Sequence, residues 1–276
     1  MHNEPQIEAH YAHDHLYETI IQALANAGIF PGKITRKDLA PIDEFHVRGQ
    51  EVSHELAAAA ALQPGMRLLD AGCGLGGACR MLADEYGCDA TGIDITADYI
   101  RTAQQLSELT GLQHNARFVQ GSVLALPFDN NSFDAVWTQH VQMNIADKKT
   151  FYTEIHRVLT TGGRFVYYDI LSHDHMPLNY PVPWASDASL SFLVSAHQLH
   201  TLLQETGFQR VQVTDETHKG IAFFNNLFTR IAQKGLPALG LHLLMGDTAL
   251  EKLYNLHTNL IEGSIMLESG IYVKVE

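Results

Sequence analysis

The chain has 276 residues, enough to bury a full α/β core with or without a cap. Its 18 Lys plus Arg stand against 31 Asp plus Glu, a formal charge of −13, which argues against a sequence-independent grip on nucleic acid, because phosphate neutralisation needs clustered cations. No apolar run approaches the ~18 residues of a membrane span, no basic and apolar leader opens the chain, and Cys73, Cys79 and Cys88 form no C-x-x-C pair, so a soluble, cytoplasmic protein acting on a small molecule is expected.

Residues 6–29 carry Ile7, Tyr11, Leu16, Ile20, Ile21 and Leu24 at mostly helical spacing and end at Gly28, which predicts one amphipathic helix. Residues 30–38 read as a loop, and the first 49 residues together as a helical cap. Between Pro41 and the next helix, Asp43, Glu44, Phe45, His46 and Arg48 crowd into one short stretch. A helix over residues 50–62 follows, its alanines at 57–61 suited to close packing. Gln63, Pro64 and Gly65 make a turn, and Met66 to Leu69 a strand apolar on both faces.

That strand breaks into glycines before a helix over residues 78–86, the outline of a nucleotide-binding half-unit. Gly72, Gly74 and Gly77 satisfy the dinucleotide fingerprint G-x-G-x-x-G, so the glycines alone leave a nicotinamide cofactor and S-adenosylmethionine both open. Asp70 favours the second. Its carboxylate would sit where a pyrophosphate must dock and would repel it, whereas the ammonium and sulfonium of S-adenosylmethionine are cations.

The pattern D-x-G-x-G-x-G, formed by Asp70, Gly72, Gly74 and Gly76, resembles the first motif of class I methyltransferases. The run from Leu126 to Trp137 is similar to the L-P-F-x-D-x-S-F-D run of their small-molecule branch, which includes the sarcosine/dimethylglycine and ubiquinone/menaquinone enzymes. The resemblance implies an α/β fold: a doubly wound, Rossmann-like, seven-stranded, mostly parallel sheet with an antiparallel last strand and a helical cap. It also implies S-adenosylmethionine as cofactor, S-adenosylhomocysteine as product and a small-molecule partner; the charge balance speaks against nucleic acid, no metal is expected, and a homodimer is left open.

Further along, residues 90–94 form a second strand ending in Asp94, placed to accept both ribose hydroxyls, with Ile95 beside it; the other reading of Asp94 is a cap for the helix at 96–109. After a third strand at 117–121, the family usually carries Gly-Asp-Ala, whose acid meets the adenine amino group. This chain has Gly121, Ser122 and Val123, so Ser122 and the Val123 backbone take those roles. A fourth strand over residues 133–137 leads to Gln139 and His140, facing the transferred methyl. A helix at 148–160, a Gly162-Gly163 turn and a fifth strand to Ile170 follow, then an irregular substrate-side insertion at 172–195. A helix at 196–206, a strand at 209–215, a helical lid within 216–262 and a closing strand complete a methyltransferase domain over residues 50–276.

Methyl transfer needs a base only when the acceptor arrives protonated, and His140 is the catalytic candidate. Arg48 is expected to pair with the cofactor carboxylate, or else with Glu44 on a solvated turn. Tyr11, His140, Asp169, His173 and Trp184 are the substrate-contact candidates. The rings at 180–184, Phe192, Phe223 and Phe224 suit an apolar aromatic or terpenoid acceptor, or an amine held by cation-π contact. His-Asp-His occurs at 13–15 and 173–175 without a zinc-ligand spacing. A nicotinamide oxidoreductase and a non-catalytic S-adenosylmethionine-binding protein are the competing classes.

Overall fold

The computed structural model describes residues 3–13, 15–30, 32, 34–173 and 176–275. Strand β1 (Arg67–Ala71) is the centre, because Leu68, Leu69 and Ala71 are fully buried between helices on both faces. It pairs in parallel with β2 (Asp89–Asp94) on one side and β4 (Phe133–Gln139) on the other. With β3 (Ala116–Gln120), β5 (Leu159–Ser172), β6 (Phe208–Asp215) and β7 (Ile265–Lys274), the sheet has seven strands in the order β3-β2-β1-β4-β5-β7-β6. Strand β7 runs antiparallel to both neighbours, as expected for the last strand. The strand order reverses between β1 and β4, which opens a crevice at their carboxyl ends.

Helices α4 (Gln50–Ala59), α5 (Gly77–Tyr86) and α6 (Ala97–Leu109) cover one face, through Val52, Leu56, Met81, Leu82, Ile100 and Ala103. Helices α7 (Lys148–Val158) and α8 (Ala196–Glu205) cover the other through Phe151, Ile155, Leu199 and Leu203. Helix α7 stops two residues before the predicted end because Leu159 already pairs with Phe133; the register then slips, and Gly162 lies in the bulged-out run before Arg164 pairs with Ala135. Residues 217–261 form the lid: α9 (Thr217–Lys234), a short α10 (His242–Met245) and α11 (Ala249–Ile261).

The first 49 residues differ from expectation in two places. The helix predicted over 6–29 is two helices, α1 (Glu4–Tyr11) and α2 (Leu16–Asn26). Ala12 is extended and His15 left-handed (φ 57°), while the His13 ring bonds the Leu244 carbonyl at 2.7 Å and the His13 backbone N–H donates to Asp98, so tertiary contacts override the helical pattern. The last three residues of the loop predicted over 30–38 instead begin α3 (Arg36–Asp43), which starts on a capping box between Thr35 and Asp38. Leu16, Ile20, Leu24, Leu39 and Ile42 pack with Leu75, Tyr99 and Leu106 of the nucleotide-binding half and with Leu239 and Leu244 of the lid.

Two glycines allow the close approaches that shape the crevice. A Cβ on Gly77 would lie 2.2 Å from the Asp43 carbonyl oxygen, so its absence lets α3 end directly on α5, where Asp43 pairs with the fully buried Arg80 at 2.6 Å. Gly72 (φ 86°) leaves room for Val141, whose side chain would be 2.5 Å from an added Cβ.

Candidate active site

The crevice widens into a cavity of about 1340 Å³, bounded by the ends of β1, β2 and β4, the cap and the lid. Pockets for a drug-sized ligand run to roughly 300–1,000 Å³, so this space exceeds what one such ligand fills.

On the β1 side, Asp70, Gly72, Gly74 and Leu75 line it. The Asp70 carboxylate is 3 % exposed, and among the described residues its one hydrogen-bond donor is the weak Cys79 thiol at 3.6 Å. Burial pushes it up to about 7; the thiol opposes this, while Glu44 and Asp94 add to it. Gly76 stands behind the loop: a Cβ there would strike Phe118 at 2.3 Å, so this glycine serves strand-helix packing and is not among the cavity-lining residues.

Asp94 accepts the Gly74 N–H through one carboxylate oxygen and the Thr96 N–H through the other, both at 2.9 Å. Thr96 is the residue just before α6, whose start carries no side-chain cap, so these bonds orient Asp94 and do not cap the helix. Two backbone donors fix the carboxylate while lone pairs on each oxygen remain to face the cavity. Ile95 and Tyr99 line the wall beside it, and the buried Tyr99 hydroxyl has no partner among the described residues.

After β3, Val123 and Leu124 line the cavity, but Ser122 does not. The Ser122 hydroxyl accepts the Leu124 N–H at 3.0 Å and donates to the carboxylate of Glu4, which lines the cavity from α1. Sequence reasoning missed Glu4, which lies 118 positions away. Tyr11, on the same face of α1, lines the cavity and donates to Asn144 Oδ1 at 2.9 Å.

Following β4, Gln139 accepts from Trp137 Nε1 at 2.8 Å and donates to Ser53 Oγ at 3.1 Å. His140 is left-handed (φ 52°), its N–H donating to the Tyr168 carbonyl and its ring stacked on Tyr168 at 5.1 Å. Its Nε2 is buried without a partner among the described residues, and burial, reinforced by His46, holds the ring well below the ordinary histidine range. His140 is among the residues lining the cavity, with burial disfavouring the protonated form of its ring.

Asp169 is not at the cavity. It is 1 % exposed inside β5 and accepts the Val141 N–H at 3.0 Å, so it pins the loop carrying His140 instead of meeting a substrate. Lys148 anchors the same loop through the Gln142 and Ile145 carbonyls at 2.6 and 2.7 Å. Arg48 is also displaced from its expected role: its guanidinium is buried against Glu55 at 2.7 Å and Glu216 at 3.0 Å, with Glu51 at 3.1 Å, and is not among the lining residues. Nor does it pair with Glu44, which binds His46 at 2.7 Å and Ser53 at 2.9 Å. Those bonds outweigh the burial that would raise Glu44 and hold it low, leaving Oε1 buried and unpartnered among the described residues.

On the lid side, Trp184, Phe223 and Phe224 line the cavity; Tyr180 and Phe192 do not. The Trp184 ring donates to Ser191 at 3.0 Å. His173, whose N–H donates to the Ser264 carbonyl, is not a lining residue. Asp14, Asp174 and His175 of the His-Asp-His runs lie outside the described residues, and among the described ones no three His, Cys, Asp or Glu gather as a metal site. No described helix is long and apolar enough to cross a membrane.

A family profile described as "Methyltransferase domain" matches residues 62–207. The chain is similar to a sterol 24-C-methyltransferase from Gibberella zeae, 38 % identical over 44 % of this chain and 32 % of the relative. It is also similar to a sarcosine/dimethylglycine N-methyltransferase from Aphanothece halophytica, 29 % identical over 62 % of this chain and 60 % of the relative. It thus spans less than two thirds of either relative. Among solved structures, a geranyl diphosphate C-methyltransferase from Streptomyces coelicolor superposes with a TM-score of 0.72 over 100 % of this chain and 99 % of that one; at 16 % identity the likeness concerns the fold.

Proposed function

Because the chain belongs to the methyltransferase domain family, we propose that it transfers a methyl group from S-adenosylmethionine to a small-molecule acceptor. The donor set fits the cofactor. Asp94 offers free lone pairs to ribose hydroxyls, the Gly72–Leu75 backbone leaves room for the nucleoside, and Val123 and Leu124 with the Glu4–Ser122 pair bound the space for adenine. The observation that carries the reading is Asp70, a nearly unpartnered carboxyl at the glycine loop beside the free Oε1 of Glu44: this floor welcomes ammonium and sulfonium and repels a pyrophosphate. The nicotinamide alternative gains nothing from it, since no Lys or Arg among the described residues lines that part of the cavity.

S-adenosylmethionine supplies a methyl carbon on a positive sulfur, so the acceptor's lone pair forms the new bond as the carbon–sulfur pair returns to sulfur. The protein's share is placement, exclusion of water and removal of a proton. Gly72 and Val141 set the distance between the glycine loop and the loop after β4, and Asp169 and Lys148 hold that second loop rigid. For an acceptor that arrives protonated, we assign the base to His140, which lines the cavity and whose Nε2 has no partner among the described residues. Tyr11 and Trp184 wall the acceptor's approach. We assign residues 1–49 to the cap and 50–276 to the catalytic domain; three buried free cysteines fit a reducing, cytoplasmic setting.

The test is incubation with methyl-labelled S-adenosylmethionine and a metabolite extract, followed by mass spectrometry. A labelled product absent from an incubation with Asp94→Ala supports the reading; no label transfer to any acceptor, in a protein that binds the donor, contradicts it.

A further inference from the structure

The cavity's charges are segregated. Its acids, Glu4, Asp43, Glu44, Asp70, Asp94 and Asp147, come from the cap, β1, β2 and the loop after β4; none comes from α9, α10 or α11. The only Lys and Arg among the described residues that line it are Arg230 and Lys234, one turn apart on α9. Neither makes an ion pair with any described residue. Seven other arginines, Arg36, Arg48, Arg67, Arg80, Arg101, Arg117 and Arg157, do meet carboxylates, whereas Arg164, Arg210 and most described lysines meet none among the described residues, so what distinguishes Arg230 and Lys234 is their place on the cavity wall.

Toward the other end of α9 the lining is apolar: Phe223, Phe224 and Leu227, faced by Trp184, Leu253 and Leu256. Helix α9 packs on α11 and on β7, across the sheet from the β1 and β2 ends where the acids gather. At 1.5 Å per residue, Phe224 to Arg230 spans about 9 Å and Phe224 to Lys234 about 15 Å. The cavity volume leaves space for a second ligand beside the nucleoside.

We propose that the acceptor is an amphiphile, with an apolar body of about 9–15 Å lying along α9 and an anionic end, carboxylate or phosphate, held by Arg230 and Lys234. This rests on the methyltransferase reading and deepens it by naming the substrate class. It sets aside the short amine that cation-π contact would have suited, because an amine would meet two unpaired cations at the lid. Both cations are exposed, so their hold is a moderate selectivity added to apolar burial.

The test uses the full chain saturated with S-adenosylhomocysteine and a fluorescent probe, dansylaminoundecanoic acid, with its methyl ester as the uncharged match. The expected result is that the acid binds about ten-fold more tightly than the ester, as charge-assisted contacts of this strength allow. The double variant Arg230→Ala/Lys234→Ala should erase the preference while keeping S-adenosylhomocysteine affinity and melting temperature. A second arm with the corresponding alkyl phosphate tells phosphate from carboxylate. Equal affinity of acid and ester, or a preference that persists in the double variant, overturns the anionic end. Failure of both probes to bind in a protein that binds S-adenosylhomocysteine overturns the amphiphile. Failure of S-adenosylhomocysteine itself to bind defeats the reading beneath, and the proposal falls with it.

Discussion

Asp70 should make cofactor affinity depend on pH in a defined direction. Burial pushes its carboxyl up to about 7, with Glu44 and Asp94 adding to the shift and Cys79 opposing it. A folded-state value above the unfolded one means that the ligand-free fold holds this proton more tightly than the unfolded chain, so stability contributed by the group falls as pH rises from about 4 to about 7. A cation placed against Asp70 reverses the preference, because only the carboxylate attracts it. With a value near 7, roughly one tenth of the groups are ionised at pH 6 and roughly nine tenths at pH 8, so S-adenosylmethionine affinity should rise about ten-fold across that interval. Titration calorimetry in two buffers of different ionisation enthalpy measures both the affinity and the proton released. The ligand's α-amino group and His46, Glu44 and Asp94 also face this region, so Asp70→Asn is the reference and should flatten the dependence. Equal slopes in the two proteins, or weaker binding at higher pH in the parent alone, would refute the role given to Asp70.

Asp94→Ala should weaken cofactor binding about ten-fold or more, since charged hydrogen bonds contribute roughly 1.5–3 kcal/mol; unchanged affinity in calorimetry would remove the ribose assignment. His140→Ala should lower kcat about a hundred-fold for a protonated acceptor with near-normal cofactor affinity, and full activity across pH would count against proton transfer to this ring. Gly77→Ala places a Cβ 2.2 Å from the Asp43 carbonyl, so it should destabilise the fold by about 2 kcal/mol or more and lower the melting temperature; an unshifted melt would mean that α3 is not seated on α5.

What was legible in the sequence was local. The apolar strand breaking at Gly72, the acid ending β2 and the proline-led turn before β4 each lie within a dozen residues, while the doubly wound seven-stranded sheet was implied by the family resemblance those motifs carry, not by their succession. What was not legible depends on partners chosen by the folded chain. Arg48 has Glu51 and Glu55 nearby on α4, a signal that could have been weighed, but Glu216 lies 168 positions away and completes its burial. Asp169 sits in a run of residues buried in β5, where only the position of the Val141 N–H reveals that it turns toward a loop rather than a ligand. The interruption between α1 and α2 is set by Asp98 and Leu244, which no helical periodicity could announce.

The most direct test is a crystal structure of the chain with S-adenosylhomocysteine. The expected result has the ribose hydroxyls on Asp94, the ammonium toward Asp70 and Glu44, and the sulfur opening toward His140 and the lid. A nucleoside seated elsewhere, or turned so that its ribose leaves Asp94 and its sulfur faces away from His140, would contradict the account.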